Sequence, residues 1–181
     1  GQAPDFNGCT AIENSGAEVW LDAGTGTTDS VRRLLSRLPK LRRVVVGLES
    51  LPSLRGLEKL LAAIGPERFV FSLDLRNGLP ITNDRTGQRM SAESIAAYAI
   101  EEGASSIIVL DLATVGSQAG GEETVDLCRN IRSRHLDVEI ISGGGVRNQD
   151  DVRRFVEAGC NRVLVSSALH AGAFGDRPET Q

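Results

Sequence analysis

Six short apolar runs, each lacking polar alternation, constrain this chain more than any other feature. They are "EVWLDAG" (18–24), "RVVVGLE" (43–49), "FVFSLD" (69–74), "SIIVLD" (106–111), "EIISGGG" (139–145) and "RVLVSS" (162–167). A strand with one wet face alternates apolar and polar residues, whereas these runs suit parallel strands covered on both faces. Amphipathic helical stretches separate them. In "DSVRRLLSRL" (29–38), Val31, Leu34, Leu35 and Leu38 form one stripe and Pro39 ends it. "SLRGLEKLLAAIG" (53–65), "SAESIAAYAIEEG" (91–103, with Ser91 as N-cap), "EETVDLCRNIRSR" (122–134) and "QDDVRRFVEAG" (149–159) complete the set. Acidic residues fall in first turns and glycines at C-termini, as helix dipoles and left-handed caps favour. Strands alternating with helices define an α/β fold around a parallel sheet, here a single domain over 1–181 with a flexible tail expected over 173–181.

The chain also repeats itself. "EVWLDAGTGTTDSVRRL" (18–34) lies over "EIISGGGVRNQDDVRRF" (139–155), with Glu18/Glu139, Gly24/Gly145, Asp29/Asp150, Val31/Val152, Arg32/Arg153 and Arg33/Arg154 coinciding. The following strands, "RVVVGLE" and "RVLVSSA", match at nearly the same offset of about 120 residues. A closed eight-unit barrel is typically ~250 residues, so a repeat of half that length implies two four-unit half-barrels. Repeat partners of the strands at 69–74 and 106–111 would fall before residue 1. The expectation is a (β/α)8 TIM barrel represented by six of its eight units, the first two missing. The alternative is an open parallel sheet whose two edges need covering.

Composition narrows the function. The net charge of −4 gives no bulk attraction to nucleic acid or an anionic membrane, and no apolar run approaches the ~20 residues that span a bilayer. Cys9, Cys128 and Cys160 are too few and too scattered for a disulfide framework and read as reduced thiols of a cytoplasmic protein. No His/Cys/Asp spacing points to a metal, and neither Lys40 nor Lys59 ends a strand, which argues against a Schiff-base mechanism. The expected partner is a small phosphorylated substrate, with no nucleic acid and no membrane, and the expected state is a monomer or weak homo-oligomer.

The glycines indicate where that substrate sits. At the end of a barrel strand, Gly143, Gly144 and Gly145 let backbone N–H groups approach an anion, and the next helix adds the positive end of its dipole. The following strand ends in Ser166 and Ser167, and the loops after the last two strands of such barrels often form a phosphate site. In the first repeat Asp22 overlies Gly143 and Glu49 overlies Ala168. Carboxylates repel an anion, so only the second half is expected to bind phosphate. Arg147 is a weaker phosphate candidate, and His170 could touch a ligand. The loop "NGLPITNDRTGQRM" (77–90) is long enough to be a lid.

These motifs resemble the histidine-biosynthesis barrel family of HisA-type isomerases and HisF-type cyclases. The isomerases (phosphoribosylformimino-5-aminoimidazole carboxamide ribotide isomerase) are the closer branch. The likeness is strongest over "FVFSLDLRNG" (69–78) and "ISGGGVRNQDDVRRFVEAGCNRVLVSSALHAG" (141–172). It implies a half-barrel-duplicated fold and a cofactor-free, Amadori-type aldose–ketose isomerisation with two aspartates as base and acid. The aspartate of the fifth barrel strand matches Asp74; that of the first would lie upstream, so the segment alone is expected to be inactive. Independently, isomerisation needs one group to protonate the ring oxygen and another to take a proton from the adjacent carbon. A strand-end carboxyl in a partly desolvated site can be poised for that. The structural alternative for Asp74 is a helix cap or a salt bridge with Arg76, itself a candidate substrate contact. Where these isomerases carry a Thr at the end of the sixth strand and Asp-Gly-Thr beyond, this chain has Leu110, Val115 and Ser117, with Gly116 kept. Asp111 is either a substitute polar group or a structural carboxylate. Two readings follow. One is a sugar-phosphate isomerase, of the histidine pathway or a paralogue such as one in one-carbon cofactor (methanopterin or methanofuran) biosynthesis. The other is a non-catalytic phosphate-ligand-binding barrel.

Overall fold

The computed structural model describes residues 5–115, 121–170 and 172–174. Its strands are β1 (Trp20–Asp22), β2 (Arg43–Gly47), β3 (Phe69–Arg76), β4 (Leu79–Pro80), β5 (Ser106–Asp111), β6 (Glu139–Gly143) and β7 (Arg162–Leu164). The helices are α1 (Phe6–Asn14), α2 (Thr28–Arg37), α3 (Leu57–Ile64), α4 (Ala92–Glu101), α5 (Glu122–Arg134), α6 (Gln149–Glu157) and α7 (Ser167–His170). Each of the six apolar runs contains a strand. The helix starts follow their caps. The Thr27 hydroxyl accepts from the Ser30 N–H, the Ser91 hydroxyl from the Ser94 N–H, and the Asn148 side chain from the Asp150 and Asp151 N–H groups.

The sheet runs β1-β2-β3-β5-β6-β7, every neighbour parallel, with β4 antiparallel to β3. This is a partial (β/α)8 TIM barrel, and its register carries the stagger that barrel strands need. One row of partners runs Gly47–Ser72–Ile108–Ile141–Arg162, from the last residue of β2 to the first of β7. Curvature follows from contacts across the interior. β1 and β7 are five strand spacings apart, about 24 Å if the sheet were flat. Yet the Arg162 guanidinium lies 5.3 Å from the Trp20 ring centre.

Two apolar layers result. Outward-facing Val44, Val46, Phe69, Phe71, Leu73, Ile107, Val109 and Ile140 pack against the helices, which contribute Val31, Leu57, Ile95 and Cys128. Inward-facing Val45, Val70, Ile108 and Ile141 form a small plug joined by Trp20 and Leu110. Phe69 and Phe71 are fully buried, and truncating either to Ala would cost about 3–5 kcal/mol. Below the plug, the first residues of four strands form a polar floor. Glu139 binds Arg43 (3.2 Å), Arg162 (2.7 Å) and the Ser106 hydroxyl, and both guanidinium groups lie over Trp20. Burial raises the Glu139 carboxyl, but these partners together hold it below the usual carboxylate range. Arg43 opens β2 and points into this floor, where it meets Glu139 and Trp20.

The 77–90 segment differs from a free lid. Asn77 and Gly78 both have positive φ (52° and 75°) and turn β3 directly into β4. Farther on, buried Asp84 accepts from the Leu54 N–H (3.1 Å) and the Thr86 N–H (3.1 Å), tying the loop to the 3₁₀ turn that precedes α3. Of the expected tail, Ala173 bonds back to the Ala168 carbonyl (3.0 Å), and 175–181 lie outside the described residues.

Candidate active site

Asp22, Gly47, Asp74, Leu110, Gly143 and Leu164 lie at or near the C-terminal ends of their strands and share the inward face, so they ring the mouth of the barrel. Asp74 is half-buried and accepts from the Ser72 hydroxyl (3.1 Å), two residues back on the same face. No ion pair joins it to Arg76, which is exposed and makes none among the described residues. The Asp74 carboxyl is pushed up to about 7. Burial is the largest cause, followed by the Glu49 carboxylate beside it and, more weakly, the charge of Asp22; the Ser72 hydrogen bond works against them.

Glu49 reaches Asp74 from the 3₁₀ turn after β2. Its carboxylate lies where a Cβ on Gly47 would be, and Gly47 pairs with Ser72. The Ser50 hydroxyl donates to Glu49 Oε1 (2.9 Å), while Oε2 is buried without a hydrogen-bond partner among the described residues. Asp22 is exposed and accepts from the Gly24 N–H (3.0 Å). Neither Ser72 nor the Glu49–Asp74 contact was evident in the sequence. The first needed the strand's inward face to be known, and the second needed β2 and β3 to be paired in register.

Across the mouth, register fixes the glycine and serine turns as neighbours on one rim, because Gly143 pairs with Leu164. Gly143 is explained by packing: a Cβ there would lie 2.5 Å from the Leu164 carbonyl oxygen. Gly144 and Gly145 have positive φ (91° and 68°), so the chain turns left-handed twice before α6. Ser166 and Ser167 are exposed at the start of α7. Arg147 is committed elsewhere, to Asp151 through Nε (2.9 Å) and its own backbone N–H (2.9 Å). That pairing brings the Asp151 carboxyl down to about 2.

Asp111 has a structural role. Its buried carboxylate accepts from the N–H groups of Asn77 (3.1 Å), Gly78 (2.8 Å) and Ala113 (2.9 Å), fastening the β3–β4 turn to the end of β5. Val115 is exposed, and Gly116 and Ser117 lie outside the described residues. Among the described residues no group of three or more His, Cys, Asp or Glu is arranged to hold a metal ion. Nor is any helix there long and apolar enough to cross a membrane.

Six parallel strands alternating with helices, with a strand-end acid and a glycine turn on one rim, define a partial (β/α)8 barrel. The family described as "Histidine biosynthesis protein" matches residues 9–175, and the chain belongs to that family. Several relatives bear the name 1-(5-phosphoribosyl)-5-((5-phosphoribosylamino)methylideneamino) imidazole-4-carboxamide isomerase. The one from Deinococcus radiodurans is 30% identical over 158 residues, 86% of this chain and 65% of the relative. That from Geobacillus thermodenitrificans is 27% identical over 168 residues (91% and 66%), and that from Lactiplantibacillus plantarum 28% over 174 residues (95% and 71%). The chain thus spans just under two thirds of the length of the first two.

Proposed function

We propose that the intact protein is an Amadori-type aldose–ketose isomerase acting on a phosphorylated sugar amine, with Asp74 as general acid. The observation that carries this is the Asp74 carboxyl, held near neutrality at about 7 at the barrel mouth. A group poised there can be protonated at working pH and still give up its proton. Asp74 donates to the ring oxygen as the adjacent carbon–oxygen bond breaks. A base then removes the proton from the neighbouring carbon, and the resulting enolamine tautomerises to the ketose. The resemblance assigns that base to a first barrel strand, which has no counterpart in residues 1–181, so the 181-residue chain alone is inactive on this reading. Family membership and the isomerase names of the relatives support the reaction class.

The substrate phosphate is proposed to sit on the Gly143–Gly145 and Ser166–Ser167 turns. Asp22 and Glu49 line the opposite side of the mouth and would repel a second phosphate. The relatives' printed name carries two phosphoribosyl groups, so this reading makes the chain a paralogue with a substrate of its own. Assaying the intact protein with singly and doubly phosphorylated amino sugars tests both points. Turnover of a monophosphate is expected. Binding without turnover would favour the ligand-binding barrel, and a clear preference for the bisphosphate would remove the one-phosphate assignment.

A further inference from the structure

The mouth holds a carboxyl pair that the proposed reaction does not by itself require. Glu49 is folded back over the end of β2 into space left by the missing side chain of Gly47, and Gly47 sits in register with Ser72, whose hydroxyl holds Asp74. Ser50 fixes one Glu49 oxygen; the other is buried and unpartnered among the described residues. A buried acceptor without a donor costs free energy, and two ionised carboxylates can offer each other none, since both only accept. One proton removes both difficulties. We propose that Glu49 is the proton partner of Asp74: the two carboxyls share a single proton at neutral pH, Asp74 donating to Glu49 Oε2, which keeps Asp74 in the acid form.

The charged and polar groups facing Asp74 fit this arrangement. Asp22 on β1 adds a weaker negative charge, Glu49 after β2 adds the nearer one, and the Ser72 hydroxyl on β3 pulls the other way. Glu49 is a positioning residue here. It sets the protonation state of Asp74 and leaves proton delivery to it. After Asp74 gives its proton to the substrate ring oxygen, the pair carries two negative charges, and the proton lost from the adjacent carbon can return to it. The use of the proton rests on the isomerase reading; the existence of the shared proton does not.

The test follows the Asp74 carboxyl by ¹³C NMR in the intact protein labelled at aspartate, assigned against Asp74→Asn, alongside the pH dependence of kcat/KM. Glu49→Gln keeps size and removes charge. It should move the Asp74 midpoint down from about 7 by about 1 pH unit or more, and carry the alkaline limb of kcat/KM down with it. Gly47→Ala displaces Glu49 from a residue whose φ of −74° suits alanine, and should shift the midpoint the same way. Asp22→Asn should shift it less. An Asp74 midpoint unchanged in Glu49→Gln overturns the pair. If the midpoint moves as expected but no substrate is turned over, the pair stands and the isomerase reading fails. If turnover is present and the profile of Glu49→Gln is unaltered, the reverse holds.

Discussion

The β1–α2–β2 unit and the β6–α6–β7 unit share a backbone plan and differ at the mouth. Each turns out of its first strand through a glycine of positive φ, Gly24 (60°) or Gly145 (68°), and starts its helix on a side-chain cap, Thr27 or Asn148. Each opens its second strand with an arginine, Arg43 or Arg162, and both arginines meet on Glu139 and Trp20 at the floor. At the rim the likeness ends. Asp22 stands where the second unit has Gly143, and Glu49 where it has Ala168. What the units keep in common is what helix starts and the floor require. Where they part is what a ligand would meet: two carboxylates beside Asp74 on one side, bare backbone and hydroxyls on the other.

The largest expected effect tests that division of labour. Asp74→Asn should lower kcat of the intact protein by about 100- to 10,000-fold with little change in KM, the range for losing one general acid. Ser166→Ala should raise KM for the phosphorylated substrate and leave kcat nearly intact. Steady-state kinetics on the two variants decides it. Equal losses of kcat in both would mean that the two sides of the mouth do not divide the work.

The next effect is structural. Gly143→Ala would drive a methyl group against the Leu164 backbone at the β6–β7 contact, which cannot yield as a flexible side-chain tip can. A loss of about 1–3 kcal/mol in urea-unfolding stability is expected, typical of overpacking. Asp22→Ala, at the matching place in the first unit, should stay within about 0.5 kcal/mol, because Asp22 is exposed. Comparable losses would show that the first unit packs as tightly at its rim as the second.

The frame of this molecule was readable in the sequence because parallel strands buried on both faces must be apolar throughout, and a cap such as Ser91 marks a helix start locally. Strand ends were read long. β1 stops at Asp22, β6 at Gly143 and β7 at Leu164, since the residues beyond have no neighbouring strand to bond at the open mouth. The β3–β4 hairpin was signalled by Asn77-Gly78, yet inside a long polar loop that signal was passed over. At the site, Asp74 and the triple glycine stood out as strand-end residues. Asp111 stayed open between a substitute polar group and a structural carboxylate, because its donors Asn77 and Gly78 are more than thirty positions away and meet it only when β3 and β5 pair. Glu49 was read as a charge that repels anions. Its approach to Asp74 depends on side-chain direction over Gly47, which no periodicity encodes.

Asp74 on β3 and Asp151 in the second unit carry opposite pH dependences. The Asp74 carboxyl is raised to about 7 in the fold, so the stability it contributes is complete below its unfolded value near 4 and is lost as pH rises through 7. The Asp151 carboxyl is lowered to about 2, so its contribution is present above the unfolded value and is lost as pH falls toward 2. Urea unfolding between pH 2.5 and 8.5 should therefore peak at about pH 4 on account of these two groups. Asp74→Asn should flatten the alkaline side alone and Asp151→Asn the acid side alone. A wild-type profile whose alkaline slope survives Asp74→Asn would show that a group other than Asp74 titrates there.

The smallest effect concerns the charge at the rim. If bare backbone on the second unit attracts phosphate while carboxylates on the first repel it, neutralising one carboxylate should strengthen phosphate binding without adding any contact. Asp22→Asn removes an exposed charge, and exposed charges at a few ångströms interact by about 1 kcal/mol or less in water. Inorganic phosphate should then bind the intact protein about 2- to 5-fold more tightly by calorimetry at low salt, and the gain should fade as ionic strength rises and the Debye length shrinks to about 8 Å. The sign matters more than the size. Among the described residues the one hydrogen bond to the Asp22 carboxylate comes from the Gly24 N–H, so the substitution leaves the second unit's turns as they are. Weaker phosphate binding in Asp22→Asn would mean that the first unit's rim helps to hold the anion, and that the two units resemble each other in function as closely as they do in backbone.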